Sequence, residues 1–132
     1  MNPSILSSAA LAYLGDCVIE LCVRELLVSR GISHSSDLNA YALDFVKAGA
    51  QSEAMKLILP LLTEEEDAVF RRGRNIGHTS TPKSATPGQY RTATGMEALF
   101  GWLHLNGRKD RIDELFSIAY KPQTEKIFSS KQ

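Results

Sequence analysis

The chain has 132 residues, 43% of them hydrophobic and 23% charged, with 15 basic side chains balanced by 15 acidic ones. That is about one domain of sequence, long enough to remove roughly two-thirds of its unfolded surface from water without disulfide or metal staples. A net charge of zero gives by itself no hint of a nucleic-acid partner. No apolar run approaches the ~20 residues of a membrane span, and the opening MNPSILSS lacks the basic-then-apolar layout of an export signal, so a cytoplasmic location is expected.

Helical periodicity runs through nearly the whole chain, and no stretch alternates as a strand would. The first helix is predicted from Ser7 or Ser8 to about Ser29, on Leu11, Leu14, Val18, Leu21, Cys22 and Leu26 recurring at threes and fours, with Gly31 just past its end. Cys17 and Cys22, five apart on that helix, match no metal spacing and read as packed thiols in a reducing compartment. A second helical run begins near Ser35, with a break expected around Ala48-Gly49-Ala50 before it continues to Leu62. Thr63 followed by Glu66 forms a capping box for EEEDAVFRRGR, whose acidic first turn suits the exposed amides there.

From Ile76 to Gln89 the pattern fails, which predicts a loop of about 14 residues, long for a compact domain. A helix from about Gln89 to Asn106 follows. A last amphipathic segment after Gly107 is interrupted or ended near Pro122, and the FSSKQ tail is expected to fray. These elements predict an all-α fold of about six or seven helices in a single domain over 1–132, with a core from about 8 to 120.

Two acids stand out because they interrupt apolar helical runs. Asp16 lies in AYLGDCVIE beside Gly15, and Glu97 lies in GMEALFGWL between Gly95 and Gly101. Glycines remove side-chain bulk, so the two helices could cross closely enough to bring the carboxylates together. Two such groups in a partly buried site repel unless a proton or a cation sits between them, and a hard divalent ion suits oxygen ligands. Glu20, one turn beyond Asp16 on the same face, could act as a third ligand or orient water around the ion. The plainer reading leaves both acids on the exposed edges of their helices.

Charge is also segregated. The 29 residues from Ala68 to Met96 hold no acid, yet they contain Arg71, Arg72, Arg74, Lys83 and Arg91. With Asn75 and a loop rich in Ser and Thr, they make a surface suited to a phosphate backbone. Helix-end complementarity explains one or two of the arginines and leaves the acid-free loop unexplained. His34, His78 and His104 are dispersed and read as surface or packing residues. Carboxylates for a divalent ion beside a basic surface point to metal-assisted phosphodiester hydrolysis.

Taken together, LAYLGDCVIE (11–20), RRGRN (71–75) and YRTATGMEALFGWL (90–103) resemble the signature segments of the ribonuclease III catalytic domain, and specifically of the mini-ribonuclease III family. The resemblance spans about Ser8 to Tyr120. It implies catalytic, metal-binding roles for Asp16 and Glu97, with Mg²⁺ as cofactor and Mn²⁺ as a substitute, and it makes an auxiliary role for Glu20 plausible. Larger members of the superfamily hold two further acids where this chain has Ala12 and Thr94, a departure shared by the mini-family. The resemblance further implies a homodimer that cuts both strands of double-stranded RNA, leaving 5′-phosphate and 3′-hydroxyl ends with a two-nucleotide overhang, and a role in maturing precursor large-subunit (23S) ribosomal RNA. With no separate RNA-binding module in these residues, contact falls to the basic helix end and the 76–89 loop, and the dimer interface to Leu14, Val18 or the Phe100 and Trp102 edge. The competing expectation is a catalytically silent RNA-binding or ribosome-assembly protein of the same fold.

Overall fold

The computed structural model describes residues 6–76 and 85–129. Seven α-helices make up the described residues: α1 (Ser8–Ser29), α2 (Ser35–Val46), α3 (Ala48–Ile58), α4 (Glu64–Arg74), α5 (Pro87–Leu105), α6 (Lys109–Ala119) and α7 (Lys121–Ser129), with one turn of 3₁₀ helix at Leu59–Leu61. The all-α expectation holds. Helix α5 is the axis of the domain, with α1, α3 and α4 laid against it.

Local chemistry explains the boundaries. Ser7 caps α1, its hydroxyl accepting from the Ala10 amide at 3.0 Å, and Gly31, at φ +86°, turns the chain beyond its end. The expected break before α3 falls at Lys47, which is extended at ψ 149°. The capping box of α4 forms as predicted, Thr63 and Glu66 bonding reciprocally at 2.9 and 3.2 Å. Helix α5, however, begins at Pro87, two residues before the expected start, so the last three positions of the predicted 76–89 loop are helical. The reason is a second capping box in Thr-Pro-Gly-Gln: Thr86 and Gln89 bond reciprocally at 3.1 Å, and Pro87 sits where its missing N–H costs nothing. The chain is interrupted at Tyr120, one residue before α7, with Pro122 in the first turn.

The main core gathers Ile19, Val23, Phe45, Met55, Met96 and Leu99 with the inner faces of α6 and α7, and a smaller cluster of Leu11, Ala12, Val69 and Ala98 lies between α1, α4 and α5. Burial continues past the expected limit at residue 120, because Ile127 is buried. The FSSKQ tail is not wholly frayed either: the Arg30 guanidinium lies 4.7 Å from the centroid of the Phe128 ring. Residues 130–132 lie outside the described residues. Leu21, assigned to the inner face of the first helix, is exposed, and the buried stripe of α1 runs instead through Leu11, Gly15, Val18, Ile19, Val23 and Leu27.

Two polar locks fasten the periphery. Glu66 does more than cap α4. It is 1% exposed, and Arg111 of α6 grips both its oxygens at 2.9 and 2.7 Å while donating to the Leu61 carbonyl at 2.9 Å. Burial pushes the Glu66 carboxyl up, but the guanidinium and the Thr63 amide outweigh it and hold the group below the usual carboxylate range. At the other end, the buried Tyr120 hydroxyl donates to the Phe45 carbonyl at 3.1 Å, satisfying one of the acceptors that the end of α2 leaves open. Tyr120→Phe should therefore lower stability by about 1–2 kcal/mol with packing retained. Denaturant titration checks it, and an unchanged midpoint would show that water satisfies that carbonyl.

Candidate active site

The site begins with a missing side chain. A Cβ on Gly15 would overlap the carbonyl oxygen of Glu97 and lie 2.9 Å from the Gly101 amide nitrogen, while one on Gly101 would overlap the carbonyl oxygen of Leu11. Helices α1 and α5 thus cross backbone to backbone at a pair of glycines, and the residues beside the crossing, Asp16 and Glu97, have their carboxyl groups within hydrogen-bonding reach of each other. Gly95, grouped in the sequence with Gly101 as flanking Glu97, serves a different crossing. A Cβ there would lie 2.8 Å from the Phe70 ring, and one on Gly73 would lie 2.6 Å from Ala98 Cβ. These two glycines seat α4 on α5.

Electrostatics mark the carboxylate pair as strained. Burial, then the neighbouring Asp16 carboxylate, push the Glu97 carboxyl up to about 8. Asp16 is exposed and Glu97 half-buried, so one side of the pair opens to solvent. Such a pair requires a shared proton or a cation, and its hard oxygen donors suit Mg²⁺ or Mn²⁺. Among the described residues no three His, Cys, Asp or Glu side chains gather to hold a metal, so an ion here would complete its shell with water and substrate oxygens, the habit of Mg²⁺.

Glu20 is half-buried, and its Oε1 accepts from Arg24 Nη2 at 2.9 Å and from Nε at 3.3 Å. Arg24 was not among the expected site residues, although its i,i+4 spacing from Glu20 is the local signal that pairs them. Ala12 is buried in the smaller cluster, and Thr94 Oγ1 donates to the Tyr90 carbonyl at 2.9 Å within α5. Cys17 is exposed and is not the packed thiol its apolar neighbours suggested. Cys22 is half-buried, and burial pushes its thiol up to about 11, so it remains protonated at neutral pH.

The basic residues differ in availability. Arg71 is paired with Asp67 at 2.6 Å. Arg74 is half-buried, its guanidinium 5.7 Å from the centroid of the Phe70 ring and its Nε donating to Asn75 Oδ1 at 3.4 Å. Arg72 and Arg91 are exposed and enter no ion pair among the described residues. Asn75 caps the carboxyl end of α4. Lys83 and His78 lie outside the described residues, as does most of the predicted loop. His34 and His104 are exposed. Val18 and Phe100, offered as interface residues, are buried within the protomer, while Leu14 and Trp102 are partly buried against its own core.

A helical domain whose two longest helices cross at paired glycines and present an aspartate and a glutamate together fits the ribonuclease III class, and the ribonuclease III domain family matches residues 9–108. Among curated proteins, the chain is 45% identical to the mini-ribonuclease 3 of Symbiobacterium thermophilum, covering 89% of this chain and 91% of that one. It is 41% identical to the mini-ribonuclease 3 of Enterococcus faecalis over 88% and 89% of the two chains. A crystal structure of a Fusobacterium nucleatum protein superposes with a TM-score of 0.81 at 32% identity, covering 90% of this chain and 95% of that one. This chain belongs to the mini-ribonuclease III family of endoribonucleases.

Proposed function

We propose that this protein is a divalent-metal-dependent endoribonuclease that cuts both strands of double-stranded RNA, acting as a cytoplasmic homodimer on precursor large-subunit ribosomal RNA. The observation that carries the reading is the Asp16 and Glu97 pair, two carboxyl groups held together at a solvent-facing edge at a cost visible in the raised Glu97 carboxyl. A bound Mg²⁺, or Mn²⁺ in its place, would polarise the scissile phosphate and supply an activated water. Asp16 and Glu97 would hold the ion, and the fixed glycine crossing would keep their separation constant through turnover. Glu20, steered by Arg24, would orient water around the ion.

The pH dependence follows from Glu97. Its carboxyl is mostly protonated at pH 7, and a cation must displace that proton. Ion binding should therefore release close to one proton per site near pH 7, and affinity should rise with pH until about 8. Isothermal titration with Mg²⁺ in buffers of different ionisation enthalpy measures it; no buffer dependence would mean that Glu97 is already ionised.

For RNA contact, Arg71, Arg72, Arg74, Asn75, Arg91 and Lys83 remain the proposed set, with Arg72 and Arg91 the most available. Replacing both by Gln should reduce the salt slope of duplex binding by roughly 1.5, two phosphate contacts' worth. An unchanged slope would move the RNA surface elsewhere.

A dimer is supported by α1. Tyr13, Leu21 and Val28 are 87%, 57% and 62% exposed, spaced eight and seven residues apart on its outer side. Antiparallel pairing of two α1 helices with Leu21 near the twofold axis would set each Tyr13 beside the partner's groove of ≈ 340 Å³, which is walled by Leu27, Leu38, Ala42, Leu43 and Val46. Such isologous pairing would supply one carboxylate site per RNA strand.

The test is an end-labelled, fully paired RNA duplex incubated with the protein in Mg²⁺ or in chelator and resolved on a denaturing gel. Paired cuts that need the ion support the proposal. Binding without cutting in either Mg²⁺ or Mn²⁺ would favour a silent RNA-binding protein instead.

A further inference from the structure

The groove between α1 and α2 is not wholly apolar. Leu27, Leu38, Ala42 and Val46 wall it, but Glu20 and Arg24 line it as well, and they connect it to the candidate active site. Tyr13, Asp16, Glu20 and Arg24 follow one another at spacings of three and four along one side of α1. Asp16 stands in that row at the carboxylate pair, and Arg24 ends it inside the groove. Whatever fills the groove therefore acts on Glu20 through Arg24.

Arg24 is held in a way that leaves it open to a second contact. Its Nε and Nη2 both donate to Glu20 Oε1, at 3.3 and 2.9 Å, so the planar group is bound along one edge and its faces remain free. The side chain is 67% exposed. An exposed pair of this kind is fixed only weakly against solvent, whereas a guanidinium stacked on an aromatic ring in a desolvated groove is held more firmly. Among the described residues the guanidinium–ring contacts are made by Arg30 and Arg74, not by Arg24.

Tyr13 is the matching piece. It is 87% exposed, the one aromatic among the largely exposed apolar side chains of the described residues. Tyrosine buries a large apolar ring and keeps its hydroxyl for a polar partner, which suits a groove edged by Ser35 and Asn39. It stands on the same helix that walls the groove, so a twofold axis beside α1 exchanges ring and groove between two copies, and each supplies what the other lacks. A phosphate backbone fits less well, because the walls are aliphatic and Glu20 already neutralises the guanidinium.

We infer that the partner's Tyr13 completes each active site: its ring stacks on Arg24, which fixes Glu20 beside the ion site. The inference rests on the dimer and carboxylate-site readings above and goes beyond them, because it makes Arg24 a positioning residue that works only in the assembled dimer. A lone subunit holds Asp16 and Glu97 together at the glycine crossing but leaves the Arg24 and Glu20 pair loose at an open groove.

The test is complementation between subunits. Tyr13→Leu keeps apolar bulk for the groove and loses the ring. The variant should remain a folded dimer by thermal melt and sedimentation, with kcat lowered about tenfold, the scale of one desolvated cation–ring contact, and KM nearly unchanged; Tyr13→Phe should stay near wild type. Without metal or RNA, the Arg24 Nε–H proton should lie upfield in the wild type and in Tyr13→Phe, and move downfield in Tyr13→Leu. Mixed with excess Asp16→Asn, which carries Tyr13 but cannot cut, Tyr13→Leu should regain cleavage per intact site, now as nicks in one strand of each duplex. No gain, with mixed dimers present by native mass spectrometry, places the effect of Tyr13 within its own subunit and overturns the inference while the dimer reading stands. Weaker duplex binding in Tyr13→Leu at unchanged kcat makes the residue an RNA contact and also overturns it. A monomeric wild type removes the dimer reading, and cleavage by Asp16→Asn alone removes the site reading, and the inference falls with either.

Discussion

Asp16→Asn should abolish RNA cleavage while leaving the protein folded and, without metal, more stable at alkaline pH. The loss of activity follows from halving the donor set. A divalent ion contributes several kcal/mol of transition-state stabilisation, and each 1.36 kcal/mol is tenfold in rate, so a fall on the order of 10³ or more is expected. The gain in stability comes from the same pair. In the native protein Glu97 keeps its proton up to about pH 8, against an ordinary value of 4.5, so the folded state binds more protons than the unfolded one between those limits. Stability therefore falls as pH rises through that window. Asparagine removes the opposing charge and offers an amide to the Glu97 carboxylate, which flattens the dependence. Melting both proteins in chelator at pH 6 and pH 8.5 tests this. Wild-type cleavage by the variant, or a pH-independent wild-type melt, would sink the site assignment.

Most of the helical frame is legible in the sequence because its punctuation is local. Ser7, the Thr63 and Glu66 box and Gly31 act within a few residues of themselves, whereas Lys47, where the chain breaks before α3, carries no such signal. Helix α5 starts two residues before periodicity alone places it, because Thr86-Pro87-Gly88-Gln89 carries a capping box among residues that otherwise signal a break. What periodicity does not encode is which of two apolar faces meets the core. Leu21 and Cys17 sit on apolar stretches of α1 yet lie outside, while Ala12 and Gly15, small and easily passed over, lie inside. Long-range polar partnerships are equally invisible: nothing near Glu66 announces Arg111, 45 residues away.

The candidate site shows the same division. Two acids in apolar helices, each with a glycine beside it, suggested their meeting, and the resemblance to ribonuclease III assigned their chemistry. The division of labour among the glycines required the tertiary structure, because Gly95 and Gly101 are equivalent by sequence. Arg71 and Arg72 are neighbours of one residue type, yet the i,i+4 spacing from Asp67 to Arg71 is a local signal, readable in the sequence, that one is occupied and the other available.

Gly15→Ala is the sharpest test of how fold and site are joined, because two physical effects predict opposite signs. Judged as a position in a helix, the change should stabilise α1 by about 1 kcal/mol. Judged by what surrounds it, the new Cβ would meet the backbone of Glu97 and Gly101, atoms that no rotamer change can move. Overpacking against side chains costs about 1–3 kcal/mol, and separation of the central α1 and α5 pair adds lost burial, so a net destabilisation of roughly 3 kcal/mol or more is expected. For a domain of this size that is a fall of about 10 °C in Tm. Separating the helices would also pull Asp16 from Glu97, so the surviving folded fraction should bind Mg²⁺ weakly, and the Glu97 carboxyl should return toward its ordinary range. Gly31→Ala provides the control: it has open space around it and only a positive φ to lose, so it should cost about 1 kcal/mol and leave metal binding intact. A Gly15→Ala protein that melts at or above the wild-type temperature would show that α1 and α5 can part cheaply, and the carboxylate pair would then owe its separation to something other than the glycine crossing.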